Sequence, residues 1–139
     1  MMPAGKYYVG DLCYVMHPEW SAVCDLVLGD GGCLEGEFNL PDGRRFAMYN
    51  TAWGDGQYGS SIGTSHCVDS GSIGCIRIDD ITESERDFDE MNRLGAIVDF
   101  ANEFRTYTDN EGQLTFGHVV VETSDAAIDE YFEGEEQNA

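Results

Sequence analysis

The sequence predicts a mostly β protein with minor α structure: a small antiparallel barrel or sandwich of about eight or nine short strands with one amphipathic helix (18–28) packed on it. Three observations predict this class. Short β-branched and aromatic runs recur between Gly, Pro, Asn and Asp turn signals. One stretch has helical periodicity instead. The 139 residues, 42% of them hydrophobic, suffice for one core, so we expect one globular domain over 1–134 and a frayed acidic tail over 135–139.

The first elements are two short strands and the helix. Residues 6–15 contain two apolar runs on either side of Gly10-Asp11, a turn or bulge signal. From Pro18 onward, apolar residues recur at helical spacing, which predicts a helix that ends before Gly29. The inward positions of this helix are Trp20, Val23, Cys24, Val27 and Leu28. A glycine-rich loop over 29–32 follows.

The middle of the chain predicts paired strands. Residues 36–40 and 44–52 flank Pro41-Asp42-Gly43, a three-residue hairpin connection in which Phe46 and Met48 alternate with Ala47 and Tyr49. Two further strands are predicted over 65–69 and 72–78. Between and within them, Gly71 and Gly74 indicate tight turns or close backbone approach.

The C-terminal part predicts a short helix and more strands. Thr82-Glu83-Ser84-Glu85 has a capping-box pattern, followed by an inward stripe of Phe88, Met91 and Leu94 and a stop at Gly95. Strands are expected over 96–100, 103–108 and 113–122. In the last of these, Leu114, Phe116, His118 and Val120 share one face, with His118 at the edge of the core. Ser124 or Asp125 is a candidate cap for a final helix.

Charge is the most unusual property of the sequence. Twenty-seven acids against seven bases give a net charge of −20. Such a field repels nucleic acid and anionic membranes and attracts basic partners, although solubility or adaptation to high salt explains the charge equally well. No signal-like segment or eighteen-residue apolar run is present, and the five cysteines are an odd number, so we expect a cytoplasmic protein with reduced thiols.

The sequence contains no recognisable cofactor or metal motif. Paired ligands at zinc spacing are missing, and the glycine-rich stretches lack the Lys-Ser or Lys-Thr of a phosphate-binding loop. We therefore predict no cofactor and no metal. The remaining candidates for chemistry are Asp11, Asp55 and Asp69, each close to a glycine at a predicted strand end. If they converge on one rim, they could bind an ion or a sugar or form an acid-base pair. Alternatively, each caps its own turn.

Three segments carry a family resemblance. These are Tyr8-Val9-Gly10-Asp11-Leu12-Cys13-Tyr14-Val15, Thr51-Ala52-Trp53-Gly54-Asp55-Gly56-Gln57-Tyr58 and Val68-Asp69-Ser70-Gly71-Ser72-Ile73-Gly74-Cys75. Together they resemble a group of small stand-alone proteins of unknown function from bacteria, phages and large algal viruses. The resemblance covers mainly residues 5–78. It implies a shared fold and a phage or viral origin, and no catalytic residues.

The leading hypothesis is a non-catalytic acidic protein-binding module. In its most specific form, a phage or virus encodes it to inhibit a host protein by occupying a basic, nucleic-acid-binding surface in the host cytoplasm. We expect it to bind neither nucleic acid directly nor a membrane, and the oligomeric state is open. The predicted binding residues are Asp79, Asp80, Glu83, Glu85, Asp87, Asp89, Glu90, Trp53 and Tyr58. The alternatives are a small enzyme or metal-assisted ligand binder using Asp11, Asp55 and Asp69, and a structural component of a viral particle.

Overall fold

The computed structural model describes residues 1–29 and 32–124. In this part of the chain, short strands and two α-helices are joined by tight turns, and the prediction of a mostly β protein is confirmed. The strands are β1 (Gly5–Gly10), β2 (Leu28–Gly29), β3 (Gly32–Cys33), β4 (Gly36–Asn39), β5 (Arg45–Asn50), β6 (Gly56–Gly59), β7 (Ser65–Val68), β8 (Ser72–Arg77), β9 (Ala96–Phe100), β10 (Thr106–Thr108), β11 (Gln113–Phe116) and β12 (Val119–Glu122). The helices are α1 (Trp20–Val27) and α2 (Phe88–Leu94).

An antiparallel sheet of five strands, in the order β4-β5-β8-β1-β9, forms the centre of the molecule. A three-stranded antiparallel sheet, β10-β11-β12, and two short ladders, β2-β3 and β6-β7, accompany it. The outer strands β4 and β9 do not pair with each other, so the five-stranded sheet has two edges. The fold is therefore a layered β structure and not a closed barrel.

The central sheet is buried on both faces. Successive side chains on a strand point to opposite faces, and β5 shows this directly. Ala47 and Tyr49 belong to one hydrophobic cluster, whereas Phe46 and Met48 belong to another. The alternation predicted for this strand is confirmed, and the two clusters lie on opposite sides of the sheet.

The first cluster lies between the five-stranded and three-stranded sheets. It includes Leu114 and Phe116 of β11 together with Tyr7 of β1. The rings of Phe100 and Phe104 stack with centroids 3.8 Å apart, and Tyr7 meets both edge-on. Edge-on and stacked aromatic pairs stabilise a core beyond the area that they bury.

The second cluster lies under the helices. Val23 and Val27 of α1 and Met91 of α2 cover Phe46, Met48 and Ile76 of the sheet. The predicted helix over 18–28 is confirmed with narrower bounds, because Glu19 occupies the N-cap position and Pro18 precedes it. Leu28, predicted to face inward, is exposed, since the chain leaves the helix there and enters β2.

The predicted hairpin is also confirmed. Strands β4 and β5 pair in antiparallel register from Gly36 opposite Met48 to Asn39 opposite Arg45. The close backbone approach predicted at Gly74 in β8 is confirmed, because a Cβ atom there would lie 2.1 Å from the carbonyl oxygen of Ala47. A side chain at this position would force the central strands apart.

The second strand predicted within residues 6–15 is wrong. After β1 the chain turns at Asp11 into a short 3-10 helix, Leu12–Tyr14. Leu12 and Val15 are buried beneath α1 and the sheet instead of extending a strand. These apolar side chains are buried by tertiary packing. The residue types alone do not distinguish this burial from burial in a strand.

The strand predicted over 113–122 is two strands, β11 and β12, separated by a turn at Gly117-His118. Gly117 has φ of 59°, in the left-handed region that favours glycine. The face predicted for Leu114, Phe116, His118 and Val120 therefore breaks after Phe116. His118 lies in the turn and is exposed, but its ring centroid is 5.0 Å from that of the buried Phe100, so it remains at the edge of the core as predicted.

The helix predicted after Thr82 forms later than the capping box indicates. Asp87 caps α2 by accepting a hydrogen bond from the Glu90 amide, whereas the hydroxyl of Thr82 donates to Glu19. The helix ends at Gly95 as predicted. The strand predicted over 103–108 is restricted to β10. Apart from Ser124 itself, the predicted final helix lies outside the described residues, as does the tail over 135–139.

Within the described residues, no helix has the length and apolar character needed to cross a membrane.

Candidate functional site

The three aspartates predicted from sequence have different surroundings, and Asp11 is the most enclosed. Its side chain is fully buried. The carboxylate accepts hydrogen bonds from the amides of Cys13 (2.9 Å), Asp69 (2.7 Å) and Ser70 (2.7 Å), and from the Ser70 hydroxyl (2.8 Å). Four donors satisfy both oxygens. Asp11 thus connects the end of β1 to the turn between β7 and β8.

Asp69 lies on the outer side of that connection. One of its carboxylate oxygens accepts a hydrogen bond of 2.5 Å from the Tyr14 hydroxyl. Burial and this bond raise the pKa of Tyr14 above its usual range. Burial, followed by the negative charges of Asp11, Asp69 and Asp55, likewise raises the pKa of the Cys13 thiol. A thiol held protonated is a poor nucleophile.

Asp55 is exposed and lines a cleft of about 500 Å³ together with Asp69. We call this the aspartate cleft, and its described lining also includes Tyr14, Cys67, Arg93 and Leu94. The structure therefore brings Asp55 and Asp69 to one cleft and places Asp11 behind it. Asp11 acts as a structural residue, because its oxygens are already occupied and water does not reach it.

The described residues contain no group of three or more His, Cys, Asp and Glu side chains placed to hold a metal ion. His66, fully buried on β7, directs Nδ1 to the Val9 carbonyl at 3.1 Å, so this nitrogen carries the proton and donates it. Its Nε2 atom is buried and has no hydrogen-bond partner among the described residues. Burial lowers the pKa of His66 to about 4, so the ring is neutral at physiological pH.

Seven of the nine binding residues predicted from sequence fall within residues 79–90, which we call the acidic segment. It forms two short 3-10 helices and the first turn of α2. Five of its seven carboxylates are exposed and two are half-buried. The exposed ones are Asp79, Glu83, Asp87, Asp89 and Glu90, and the half-buried ones are Asp80 and Glu85.

The basic residues near the acidic segment are already engaged. Arg86, the one base within it, donates from Nε to the Ile81 carbonyl (2.8 Å) and from Nη2 to the Asp79 carbonyl (3.0 Å). Arg77 lies 3.4 Å from Asp80, and Arg93 forms an ion pair with Glu90 at 2.6 Å. Asp79, Glu83 and Asp89 have no ion pair or side-chain hydrogen bond within the described residues. Their charge faces solvent.

Sequence reasoning misplaced one aromatic residue of this segment. Phe88 was predicted to face inward with Met91 and Leu94, yet its side chain is 49% exposed, while Met91 is buried. Because Asp87 is the N-cap, Phe88 occupies the first position of α2, before the helix has turned its inner face to the sheet. The cap residue was the available signal: Asp87, not Thr82, begins the helix.

The two aromatic residues predicted as contacts have opposite outcomes. Trp53 is 59% exposed, and its indole Nε1 donates to the Ser124 carbonyl at 2.9 Å. Tyr58 is 1% exposed and donates its hydroxyl to the Gly54 carbonyl at 2.9 Å. The prediction of Tyr58 as a surface contact is wrong, because the ring packs in the first hydrophobic cluster.

A second cleft, of about 390 Å³, borders the acidic segment. We call it the acidic cleft. Its charged lining comprises Glu85, Asp87, Glu90 and Arg93, with His17 also present. Its apolar lining comprises Tyr8, Tyr14, Val15, Met91 and Leu94. The acidic segment therefore combines an exposed charged surface with a neighbouring depression.

The fold and these surfaces define a small layered β protein with an exposed acidic segment beside two clefts. None of the family models, curated proteins or solved structures compared with the chain matches it. Functional inference accordingly rests on the surface itself.

Proposed function

We propose that the chain is a non-catalytic, acidic protein-binding module whose acidic segment docks on a basic surface of another protein. The observation that carries the proposal is the set of five exposed carboxylates in residues 79–90, around an exposed Phe88, while the Arg86 guanidinium donates to backbone carbonyls of the same segment. A charged surface of this kind accelerates encounter with an oppositely charged partner.

Phe88 supports a protein partner. Affinity in protein interfaces is concentrated in a few residues, and an exposed aromatic surrounded by polar residues is a typical anchor. The carboxylates would steer and orient the partner, and Phe88 would fill a pocket on it. An inhibitor, encoded by a phage or virus, that occupies a nucleic-acid-binding surface is the most specific form of this proposal.

The proposal is tested with two variants of equal net charge. In the surface variant, Asp79→Asn, Glu83→Gln and Asp89→Asn neutralise acids of the acidic segment. In the control variant, Asp25→Asn, Asp99→Asn and Glu103→Gln neutralise three exposed acids elsewhere. The probe is an immobilised arginine-rich peptide, with binding measured from about 50 to 200 mM salt, a range over which charge-driven binding weakens steeply.

We expect the surface variant to lose at least about tenfold in affinity at low salt, and the control variant to lose much less, because local charge acts more strongly than distant screened charge. Phe88→Ala is expected to weaken binding of the peptide at high salt as well, since guanidinium groups can stack on the Phe88 ring and salt screens this contact less than exposed ion pairs. Equal losses in the two charge variants would show that only net charge matters, and the proposal would then be wrong.

A small enzyme using Asp11, Asp55 and Asp69 is less well supported. Four hydrogen bonds withdraw Asp11 from solvent, so the predicted cluster of three accessible carboxylates does not form, and only Asp55 and Asp69 share the aspartate cleft. The other alternative, a component of a viral particle, predicts self-association, which light scattering at increasing protein concentration would detect.

A further inference from the structure

The two clefts lie side by side. The aspartate cleft and the acidic cleft share three lining residues, Tyr14, Arg93 and Leu94. Tyr14 comes from the 3-10 turn after β1, while Arg93 and Leu94 come from the last turn of α2. The two clefts are therefore adjacent at the junction of these two elements, and we call the pair together the Tyr14 groove.

The groove is apolar in part and strongly negative at its rim. Tyr8, Tyr14, Val15, Met91 and Leu94 supply its apolar lining. Five carboxylates line it, against one guanidinium, among the described residues. The carboxylates are those of Asp55, Asp69, Glu85, Asp87 and Glu90. Arg93 pairs with Glu90 through contacts of 2.6 to 3.2 Å. Because this one guanidinium is already used by one carboxylate, an excess of negative charge remains in the groove.

We infer that the Tyr14 groove binds an extended segment of a partner protein that carries at least two Arg or Lys side chains. The inference rests on the proposed function and names the part of the partner that is recognised. Arginine and lysine have apolar stems and cationic heads, which match a groove with an apolar lining and carboxylates on its rim. Guanidinium groups also stack on tyrosine faces and pair with carboxylates in planar, two-bond geometry.

Each of the two clefts would hold one of the two cationic side chains of the partner segment. One head would meet Asp55 and Asp69 in the aspartate cleft, and the other would meet Glu85 and Asp87 in the acidic cleft. Tyr14 lies where the clefts meet and has its hydroxyl fixed by Asp69. Arg93 lies at the same place and competes with the incoming cations for Glu90.

This competition gives the inference its sharpest test. The variant Arg93→Gln removes the one guanidinium of the groove and frees Glu90, whereas Arg105→Gln removes an exposed guanidinium that lines neither cleft. Both change the net charge equally. With an arginine-containing peptide of about a dozen residues as the probe, calorimetry should show affinity raised on the order of threefold by Arg93→Gln relative to Arg105→Gln.

A second pair of variants tests for a loss of peptide affinity. Asp55 and Asp99 are both exposed, and only Asp55 lines the groove. We expect Asp55→Asn to weaken peptide binding several-fold relative to Asp99→Asn, and proton chemical shifts of Tyr14 to move when the peptide is added. The inference would be overturned if the peptide affinity of Arg93→Gln equalled that of Arg105→Gln and the affinity of Asp55→Asn equalled that of Asp99→Asn.

The remaining outcomes separate the inference from the proposed function. If those groove variants match their controls but the surface variant of the acidic segment still loses affinity, the groove inference fails and the proposed function stands. If the unmodified protein binds no arginine-rich peptide at low salt, both fail. If spermine binds the groove as tightly as the peptide, cationic charge alone is recognised, and the assignment of a protein segment is overturned.

Discussion

Asp11 and the acidic segment use the same chemical group in opposite ways. The Asp11 carboxylate is buried and accepts four hydrogen bonds from the chain around it. The carboxylates of Asp79, Glu83 and Asp89 face solvent and bind nothing within the described residues. The difference shows that the number of nearby donors, and not the residue type, decides whether an acid serves the fold or remains available to a partner.

The largest effect is expected at Asp11. In Asp11→Asn, the introduced NH₂ group would face backbone amides that are themselves donors, so buried hydrogen bonds are lost without replacement. We expect the free energy of unfolding to fall by about 3 kcal/mol. Asp79→Asn is the control and should change it by less than about 0.5 kcal/mol, as exposed substitutions generally do. Urea denaturation measures both, and equal effects would contradict the contrast between the two regions.

A second buried polar group predicts sensitivity to acid. The folded-state pKa of His66 is about 4, below the ordinary value of 6.5 that applies when the chain unfolds. The unfolded state therefore binds more protons between these pH values, and stability present above about pH 6.5 is lost as the pH falls toward 4. The shift corresponds to about 3 kcal/mol.

The His66 prediction is measured by urea denaturation between pH 7 and pH 4. In His66→Gln, whatever its stability at neutral pH, the histidine contribution to the slope should disappear. In His118→Gln it should remain, because His118 is exposed at a turn. A slope that is unchanged in His66→Gln would show that other groups cause the acid sensitivity.

The smallest effect concerns the exposed acids and the stability of the protein itself. Like charges in the acidic segment repel one another, and the surface variant should relieve this repulsion by up to about 0.5 kcal/mol. Added salt screens the same repulsion. We expect salt to raise the melting temperature of the unmodified protein more than that of the surface variant. An equal rise in both would indicate that the acidic segment does not dominate the repulsion.

Local signals predicted those elements of the fold whose causes are local. The hairpin around 41–43 follows from its turn residues, and α1 follows from a periodic stripe in which Val23 and Val27 are buried. The strand expected after Asp11 failed because the turn there is fixed by Asp69 and Ser70, which lie 58 and 59 residues away in sequence. Donors that are so distant in sequence cannot be inferred from the residues next to Asp11.

The candidate site was predictable in composition and not in geometry. The charge of residues 79–90 is plain in the sequence, and the structure places most of it at the surface. The exposure of Phe88 and the lining of both clefts by Tyr14 and Arg93 depend on how α2 packs against the turn after β1, whereas the burial of Tyr58 depends on packing in the first hydrophobic cluster. A helix of seven residues carries too short a pattern to fix which face lies inward.

The central claim, that the acidic segment is the docking surface, is tested most directly by the affinity of the arginine-rich peptide for the surface variant and for its charge-matched control. The account predicts that neutralising Asp79, Glu83 and Asp89 weakens binding by at least about tenfold at low salt, while neutralising Asp25, Asp99 and Glu103 weakens it far less. Equal weakening of the two variants would contradict it.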